Sequence, residues 1–246
     1  MNIAVIFAGG IGSRMHSKEL PKQFLMLRGK PVIIHTLEQF ENHDEIDAIV
    51  ISCIEDRIQY LNELLEKYNI RKVKKIVPGG KTGQLSIYNG LCAAESVVDK
   101  EEKNIVLIHD GVRPLINSKL ITDNIRSVKE NGSAITCVKA KETILLVENE
   151  DNAEINTIPD RNCVRLAEAP QSFFLNDIME VERRAINEGL TNAIDSCSLM
   201  KKYGKKIYLI FEGPTENIKI TTPDDFYIMR AILDAKENAQ IYGIEE

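Results

Sequence analysis

Asn2-Ile-Ala-Val-Ile-Phe-Ala8-Gly-Gly-Ile-Gly-Ser-Arg14-Met15 is a short apolar strand that runs straight into a glycine-rich loop, and Pro21-Lys22-Gln23-Phe24 follows it. Gly9, Gly10 and Gly12 let the backbone turn sharply and bring its N–H groups close to a ligand, with Phe7 and Ala8 leading in. Arg14 and Lys22 set two positive charges beside that cradle, an arrangement that suits a nucleoside triphosphate. No Gly-Lys-Ser/Thr follows and the spacing is not GxGxxG, so neither the Walker loop nor the dinucleotide fingerprint applies. A glycine loop alone is as well explained by a tight strand-to-helix turn. The paired cations favour the ligand.

Outward from this segment, apolar strands and amphipathic helices alternate. Strands are expected at Ile3–Phe7, Ala48–Ile54, Lys75–Val77 and Ile105–Ile108. Helices are expected from Pro31 through Phe40, across Ile58, Leu61, Leu64, Leu65 and Tyr68, and through Leu85, Ile87, Leu91 and Ala94. The uninterrupted apolar run at Ala48–Ile54 is the pattern of a strand covered on both faces. Repetition of this kind implies an α/β fold with a mostly parallel sheet and right-handed crossovers. Ligands in such sheets sit beyond the carboxyl ends of the strands. Three chemically loaded segments fall there, Ala8–Arg14, Gly79–Ser86 and His109–Pro114, and should converge on one crevice.

The middle of the chain reads differently. Ala134–Val138, Thr143–Val147, Ile155–Ile158 and Val164–Ala167 are short β-prone runs around the polar stretch Glu148–Glu154. They predict a protruding β arm over about residues 138–168, and arms of that kind often pair subunits. Helices return at Leu175–Glu188 and Ala193–Tyr203, then a strand at Lys206–Phe211 and a closing helix from Pro223. No repeat or Pro/Ser-rich linker divides the chain, so residues 1–246 are read as a single domain.

A length of 246 residues supplies ample core without staples. The net charge of −6 and the lack of a long basic cluster argue against a nucleic-acid partner. No stretch is apolar for long enough to span a membrane, and the first strand lacks a signal peptide's basic flank. Cys53, Cys92, Cys137, Cys163 and Cys197 are odd in number, scattered and without metal-ligand spacing, as expected of reduced thiols in a cytoplasm.

His109-Asp110-Gly111-Val112-Arg113-Pro114 ends a strand with an acid, a flexible glycine and a cation. Asp110 suits a substrate hydroxyl or a phosphate-bound Mg²⁺, and Arg113 suits a phosphate; the alternative is a pair that only braces a loop. His109 reads as a packed histidine. In Gly79–Ser86 the backbone N–H groups of Gly80, the Lys81 ammonium and the Ser86 hydroxyl suit a base or a triphosphate, with helix capping by Thr82 or Ser86 as the competing role. Thr222 before Pro223-Asp224-Asp225 reads as a cap. Lys219 has no such excuse, because a charge between Ile218 and Ile220 points one strand face into a polar site. Arg161 is exposed on pattern alone.

Phe7–Arg14 with Pro21–Phe24, Gly79-Gly80 leading to Ser86–Gly90, His109–Pro114, Asp160-Arg161-Asn162, Ala169-Pro170-Gln171 and Asn217–Pro223 resemble, in that order, the CTP-dependent polyol-phosphate cytidylyltransferases. The resemblance implies a Rossmann-like nucleotidyltransferase domain that makes a homodimer, a cytoplasmic enzyme and Mg²⁺ carried mainly by the CTP phosphates. It implies that both glycine loops hold CTP, that Arg14 and Lys22 stabilise the transition state, and that Arg161 and Lys219 position the acceptor phosphate. Thr143, Asp110 and Arg113 would help, the last two from either subunit. Thr82 and Gly83 stand where the family commonly carries an acid and an arginine, and Ala169 stands where it carries a threonine. Gly9–Met15, Pro21–Leu25 and Asn217–Pro223 lean toward D-ribitol 5-phosphate as acceptor, with 2-C-methyl-D-erythritol 4-phosphate as the alternative. The pathway, cell-envelope polymer or isoprenoid precursor, stays open with the acceptor. Two further readings are transfer from another nucleotide to a sugar 1-phosphate and a catalytically idle nucleotide binder.

Overall fold

Strand β1 (Asn2–Ala8) is covered on both faces because its alternate residues feed two different cores. Ala4, Ile6 and Ala8 pack with Ile33, Leu37 and Phe40, whereas Ile3 and Val5 pack with Leu91, Ala94 and Ile178. The computed structural model describes residues 1–10, 20–99, 102–149, 151, 154–210 and 214–242. After β1 come a 3-10 turn at Lys22–Phe24, the hairpin β2 (Met26–Leu27) and β3 (Lys30–Pro31), then α1 (Val32–Glu41) and β4 (Ala48–Cys53). Next are α2 (Ile58–Lys67), β5 (Val73–Pro78), α3 (Gly83–Glu95), β6 (Ile105–Asp110), α4 (Ser118–Asn131) and β7 (Ser133–Lys139). The chain continues through β8 (Leu146–Val147), β9 (Ile155–Thr157), β10 (Arg165–Phe174), α5 (Leu175–Asn187), α6 (Ser196–Lys202), β11 (Leu209–Ile210) and α7 (Pro223–Tyr242).

The main sheet has seven strands in the order β11-β7-β10-β6-β1-β4-β5. Its pairings are parallel except along β10, which runs antiparallel to both β6 and β7. The chain passes from β1 to β4 to β5 on one side, then crosses to lay β6 on the other side of β1. That reversal puts the switch point, where α/β sheets open a ligand crevice, between the carboxyl ends of β1 and β6. Ala8–Gly10 and Asp110 emerge there.

Most of the expected elements are present; the strands expected at Thr143–Val147 and Lys206–Phe211 are confined among the described residues to β8 and β11, and three further differences stand out. Helix α4 has no counterpart in the sequence reading, although Asn117 caps it by accepting from Leu120 N at 2.9 Å and Gly132 ends it at φ +88°. Strand β10 is longer than the expected Val164–Ala167 run: after a register shift between Ala167 and Gln171 it continues into the sheet beside β6. Helix α6 starts only at Ser196, because Asp195 caps it by accepting from Ser198 N at 2.7 Å. Between β7 and β10 the chain leaves the sheet, and β8 and β9 pair only with each other. Leu145, Leu146, Val147, Ile155 and Ile158 are all exposed on this ribbon.

Candidate active site

The two glycine loops touch. A Cβ on Gly79 would lie 3.2 Å from the Gly9 Cα, and one on Gly9 would lie 3.0 Å from the Ser86 hydroxyl. At Gly80 a Cβ would fall 2.4 Å from the Leu85 side chain, so only glycine fits. Ser86 Oγ accepts from Gly80 N at 3.0 Å and donates to Thr82 O at 2.9 Å, while Thr82 caps α3 by accepting from Leu85 N at 3.2 Å. Both hydroxyls therefore shape the loop, and the capping role holds for Thr82. On the other side the buried Gln23 donates to Ala8 O at 2.7 Å and Gly10 O at 3.3 Å, fastening the first loop to the turn that carries Lys22.

Phe7, Ala8, Gly9, Gly10, Lys22, Gly80, Lys81, Ser86, Asp110 and Lys219 line one crevice of about 350 Å³. Gly111 lies behind its wall: its N–H donates to Phe7 O at 3.1 Å, and a Cβ there would meet Ala8 Cβ at 3.2 Å. Gly12 and Arg14 lie outside the described residues.

Asp110 is the electrostatic hub. It receives Lys219 Nζ at 2.5 Å and Arg113 Nε at 2.8 Å. Burial alone would raise its pKa, but Lys219 and Arg113 outweigh burial and hold it down to about 2. Arg113 also donates to Asn217 O at 2.6 Å. Lys219 is aimed by its neighbours. Ile220 is fully buried with Leu27, Val32, Val112 and Met229, and Ile220 N donates to Val112 O at 3.0 Å. That anchoring turns the Lys219 ammonium toward Asp110 and over the Phe7 ring, 5.7 Å from its centroid. His109 is packed edge-on to Phe40 at 5.2 Å, and burial drives its pKa down to about 4. It is therefore neutral near neutral pH. Thr222 and Asp225 form a reciprocal cap at the start of α7: Asp225 accepts from Thr222 N at 2.7 Å, and Thr222 Oγ1 accepts from Asp225 N at 3.4 Å.

A second chamber of about 290 Å³ shares Phe7, Gly83, Asp110 and Lys219 with the first, and Arg113, Glu168, Gln171 and Ser196 line its far side. Asp110, Arg113 and Lys219 are thus brought together within one chain. Arg161 and Thr143 are not brought there. Arg161 sits in an exposed turn, donates to Lys141 O at 3.2 Å, and shares a surface hollow with Lys139, Lys141 and Arg165. Thr143 is exposed between β7 and β8. The sequence reading assigned no site role to Gln23, Glu168 or Asn217. A carboxylate flanked by Ala167 and Ala169 was the one available signal for Glu168. Nothing local marks Asn217, whose Nδ2 donates to Ala169 O at 2.6 Å and Glu168 Oε2 at 3.1 Å.

A parallel sheet with two glycine loops at its switch point and cations around a joined pair of chambers is the Rossmann-like architecture of nucleotide-handling enzymes. The comparisons narrow that class: residues 2–235 match the family described as IspD, 2-C-methyl-D-erythritol 4-phosphate cytidylyltransferase, and the chain belongs to it. Among curated relatives, a ribitol-5-phosphate cytidylyltransferase of Streptococcus agalactiae serotype III is 55% identical over 244 residues, covering 99% of this chain and 100% of that protein. A 2-C-methyl-D-erythritol 4-phosphate cytidylyltransferase of Clostridium botulinum is 39% identical over 233 residues, covering 95% and 97%. Among solved structures, the 4-diphosphocytidyl-2C-methyl-D-erythritol synthase of Anaerococcus prevotii superposes with a TM-score of 0.79 at 27% identity, over 95% of this chain and 98% of that one.

Proposed function

We propose that this chain transfers CMP from CTP to a polyol phosphate, D-ribitol 5-phosphate in the first instance, giving a CDP-polyol and pyrophosphate. The observation that carries this reading is the pair of joined chambers with the Asp110–Lys219 pair at their shared wall. CTP takes the chamber between the glycine loops and the acceptor takes the other, so the two reactants meet at Lys219. The likeness is greater to the ribitol-5-phosphate relatives, at 55%, than to the methylerythritol ones, at 39%.

The chemistry is governed by charge. A phosphomonoester has a second pKa of about 6, so near neutral pH it is already largely the dianion and needs no general base. One acceptor phosphate oxygen attacks the α-phosphorus of CTP, a new P–O bond forms, and the bond to the β-phosphate breaks with its electron pair leaving on pyrophosphate. Lys22 and Arg14 offset charge on the α-phosphate and the leaving group, while Lys219 and Arg161 hold the attacking anion in line. Mg²⁺ bound to the CTP phosphates would neutralise oxygens there. The fit to a protein-held ion is poor: both Asp110 oxygens are engaged by cations, and among the described residues no three His, Cys, Asp or Glu side chains converge. An Mg²⁺ ion would therefore be carried mainly by the CTP phosphates.

The reading is tested by pyrophosphate release with Mg²⁺ and CTP against ribitol 5-phosphate and methylerythritol 4-phosphate, with each acceptor omitted as control. Release dependent on ribitol 5-phosphate supports it. Release only with methylerythritol 4-phosphate moves the chain to the other branch, and CTP binding with release from neither points first to other polyol phosphates and second to an idle binder.

The active form is a homodimer through the β8–β9 ribbon. Five large apolar side chains stand exposed there, and Arg161 and Thr143 lie on the same excursion, away from their own crevice, so that a partner's arm would carry them to the acceptor. Leu146→Asp with Ile155→Asp is expected to weaken self-association at least about tenfold, read by sedimentation equilibrium, and to reduce acceptor use with it. An unchanged dimer would remove the ribbon from the interface. A cytoplasmic setting with no nucleic-acid partner completes the reading. Among the described residues no helix is long and apolar enough to cross a membrane.

A further inference from the structure

We infer that Glu168 selects the acceptor by its hydroxyl tail, its carboxylate accepting hydrogen bonds from an open-chain polyol in the second chamber. The Ser196 hydroxyl is a second contact on the same wall. This rests on the cytidylyltransfer reading and deepens it: the cations at Lys219 and Arg113 take the acceptor's phosphate, and Glu168 reads the other end.

A carboxylate only accepts, and each oxygen has two lone pairs to fill. Glu168 Oε2 takes the Asn217 amide at 3.1 Å and lies 3.9 Å from Arg113 Nη1. Among the described residues nothing donates to Oε1. Bracing accounts for one oxygen only: the two hydrogens of Asn217 Nδ2 go to Ala169 O at 2.6 Å and to Glu168 Oε2, while Arg113 has Asp110 Oδ2 at 2.8 Å and Asn217 O at 2.6 Å. Oε1 is left over on a carboxyl that lines the chamber with its side chain only 12% exposed, at a desolvation cost. Ser196, which also lines the chamber, has a buried Oγ with no hydrogen-bond partner among the described residues. Buried groups with spare capacity on one wall await donors and acceptors, and a chain of vicinal hydroxyls supplies both. Phe7, Ile87 and Ile108 on the same chamber cover the carbon backbone of such a chain.

The test compares ribitol 5-phosphate with glycerol 3-phosphate, which keeps the phosphate and loses most of the hydroxyl tail. The wild type should favour ribitol 5-phosphate in kcat/KM. Glu168→Gln keeps the shape and an acceptor for Asn217, and it should shrink that preference at least about tenfold, mainly through the KM for ribitol 5-phosphate. Ser196→Ala should shrink it less, and thermal melts verify that both variants fold. An unchanged preference, or equal loss with both acceptors, overturns the assignment and leaves Glu168 structural. If the wild type releases no pyrophosphate with either acceptor, cytidylyl transfer to these acceptors fails. Calorimetric titration of ribitol 5-phosphate into the CTP-loaded protein then decides Glu168 separately. Binding weakened by Glu168→Gln upholds the residue's role, and binding that is absent or unaffected overturns it.

Discussion

Lys219→Ala should lower cytidylyl transfer by about 100-fold or more, and Lys22→Ala should do the same, in chains that remain folded. The size follows from where the two ammonium groups stand. Both line the crevice between the glycine loops, and Lys219 also belongs to the second chamber. In the proposed reaction negative charge crowds at this junction as the bond to pyrophosphate stretches, and a fixed cation there is worth more to the transition state than to either bound anion. Folding loses little. Ile220 keeps its buried place when Lys219 is truncated, and Asp110 keeps Arg113 at 2.8 Å, so no buried carboxylate is left unpaired. Pyrophosphate release at saturating CTP, set beside thermal melts, separates the two effects. A variant that turns over at a rate near the wild type's would take its lysine out of the mechanism. Lys219→Ala should also raise the KM for the acceptor, since it alone of the pair faces the acceptor chamber.

The parts of this site that were legible in the sequence are those written in one short segment. A strand, a glycine turn and a charge within fifteen residues of each other report their own geometry, and so did the interruption of an apolar run by Lys219. Strand β10 was harder, because its second half is buried with mixed residues: Gln171 and Ser172 are hidden by polar partners, Asp195 at 3.1 Å and Asn124 at 2.8 Å, that lie 24 and 48 positions away. No local periodicity announces a pairing of that kind. Helix α4 was legible at both ends, in Asn117 and Gly132, and its buried Leu120, Ile121, Ile125 and Val128 recur at helical spacing. Arg161 is the opposite case. It lies in an exposed turn with Asp160 accepting from Asn162 N at 2.9 Å, and its place in a site comes only through the family resemblance. Glu168 becomes conspicuous only once it is seen to line the second chamber with one oxygen bonded to Asn217 and the other without a donor among the described residues.

Glu182→Gln is expected to make the protein more stable than the wild type at alkaline pH and no more stable at acid pH. Glu182, on α5, is 1% exposed, and Gln84 Nε2 donates to its Oε2 at 3.0 Å. Burial pushes the carboxyl up to about 7 from 4.5, and the Gln84 hydrogen bond opposes this only in part. The folded protein therefore holds a proton at Glu182 that the unfolded chain has released, and stability from this group is full below 4.5 and lost as pH rises through about 7. The gap between those values corresponds to about 3 kcal/mol. Glutamine keeps the acceptor for Gln84 without ever paying to bury a charge, but it brings amide hydrogens with no assigned partner, so the net gain above about pH 8 should be nearer 2 kcal/mol, or roughly 5 °C in Tm. Gln84 also donates to Leu190 O at 3.1 Å and accepts from Ala193 N at 2.9 Å. It thereby ties the first turn of α3, beside the second glycine loop, to the segment leading into the second chamber at Ile194–Ser196. Thermal unfolding of both proteins across the acid and alkaline range reads the difference directly. A crossing of the two stability curves near neutral pH is the expected signature, and parallel curves would mean that Glu182 titrates alike in the folded and unfolded chain.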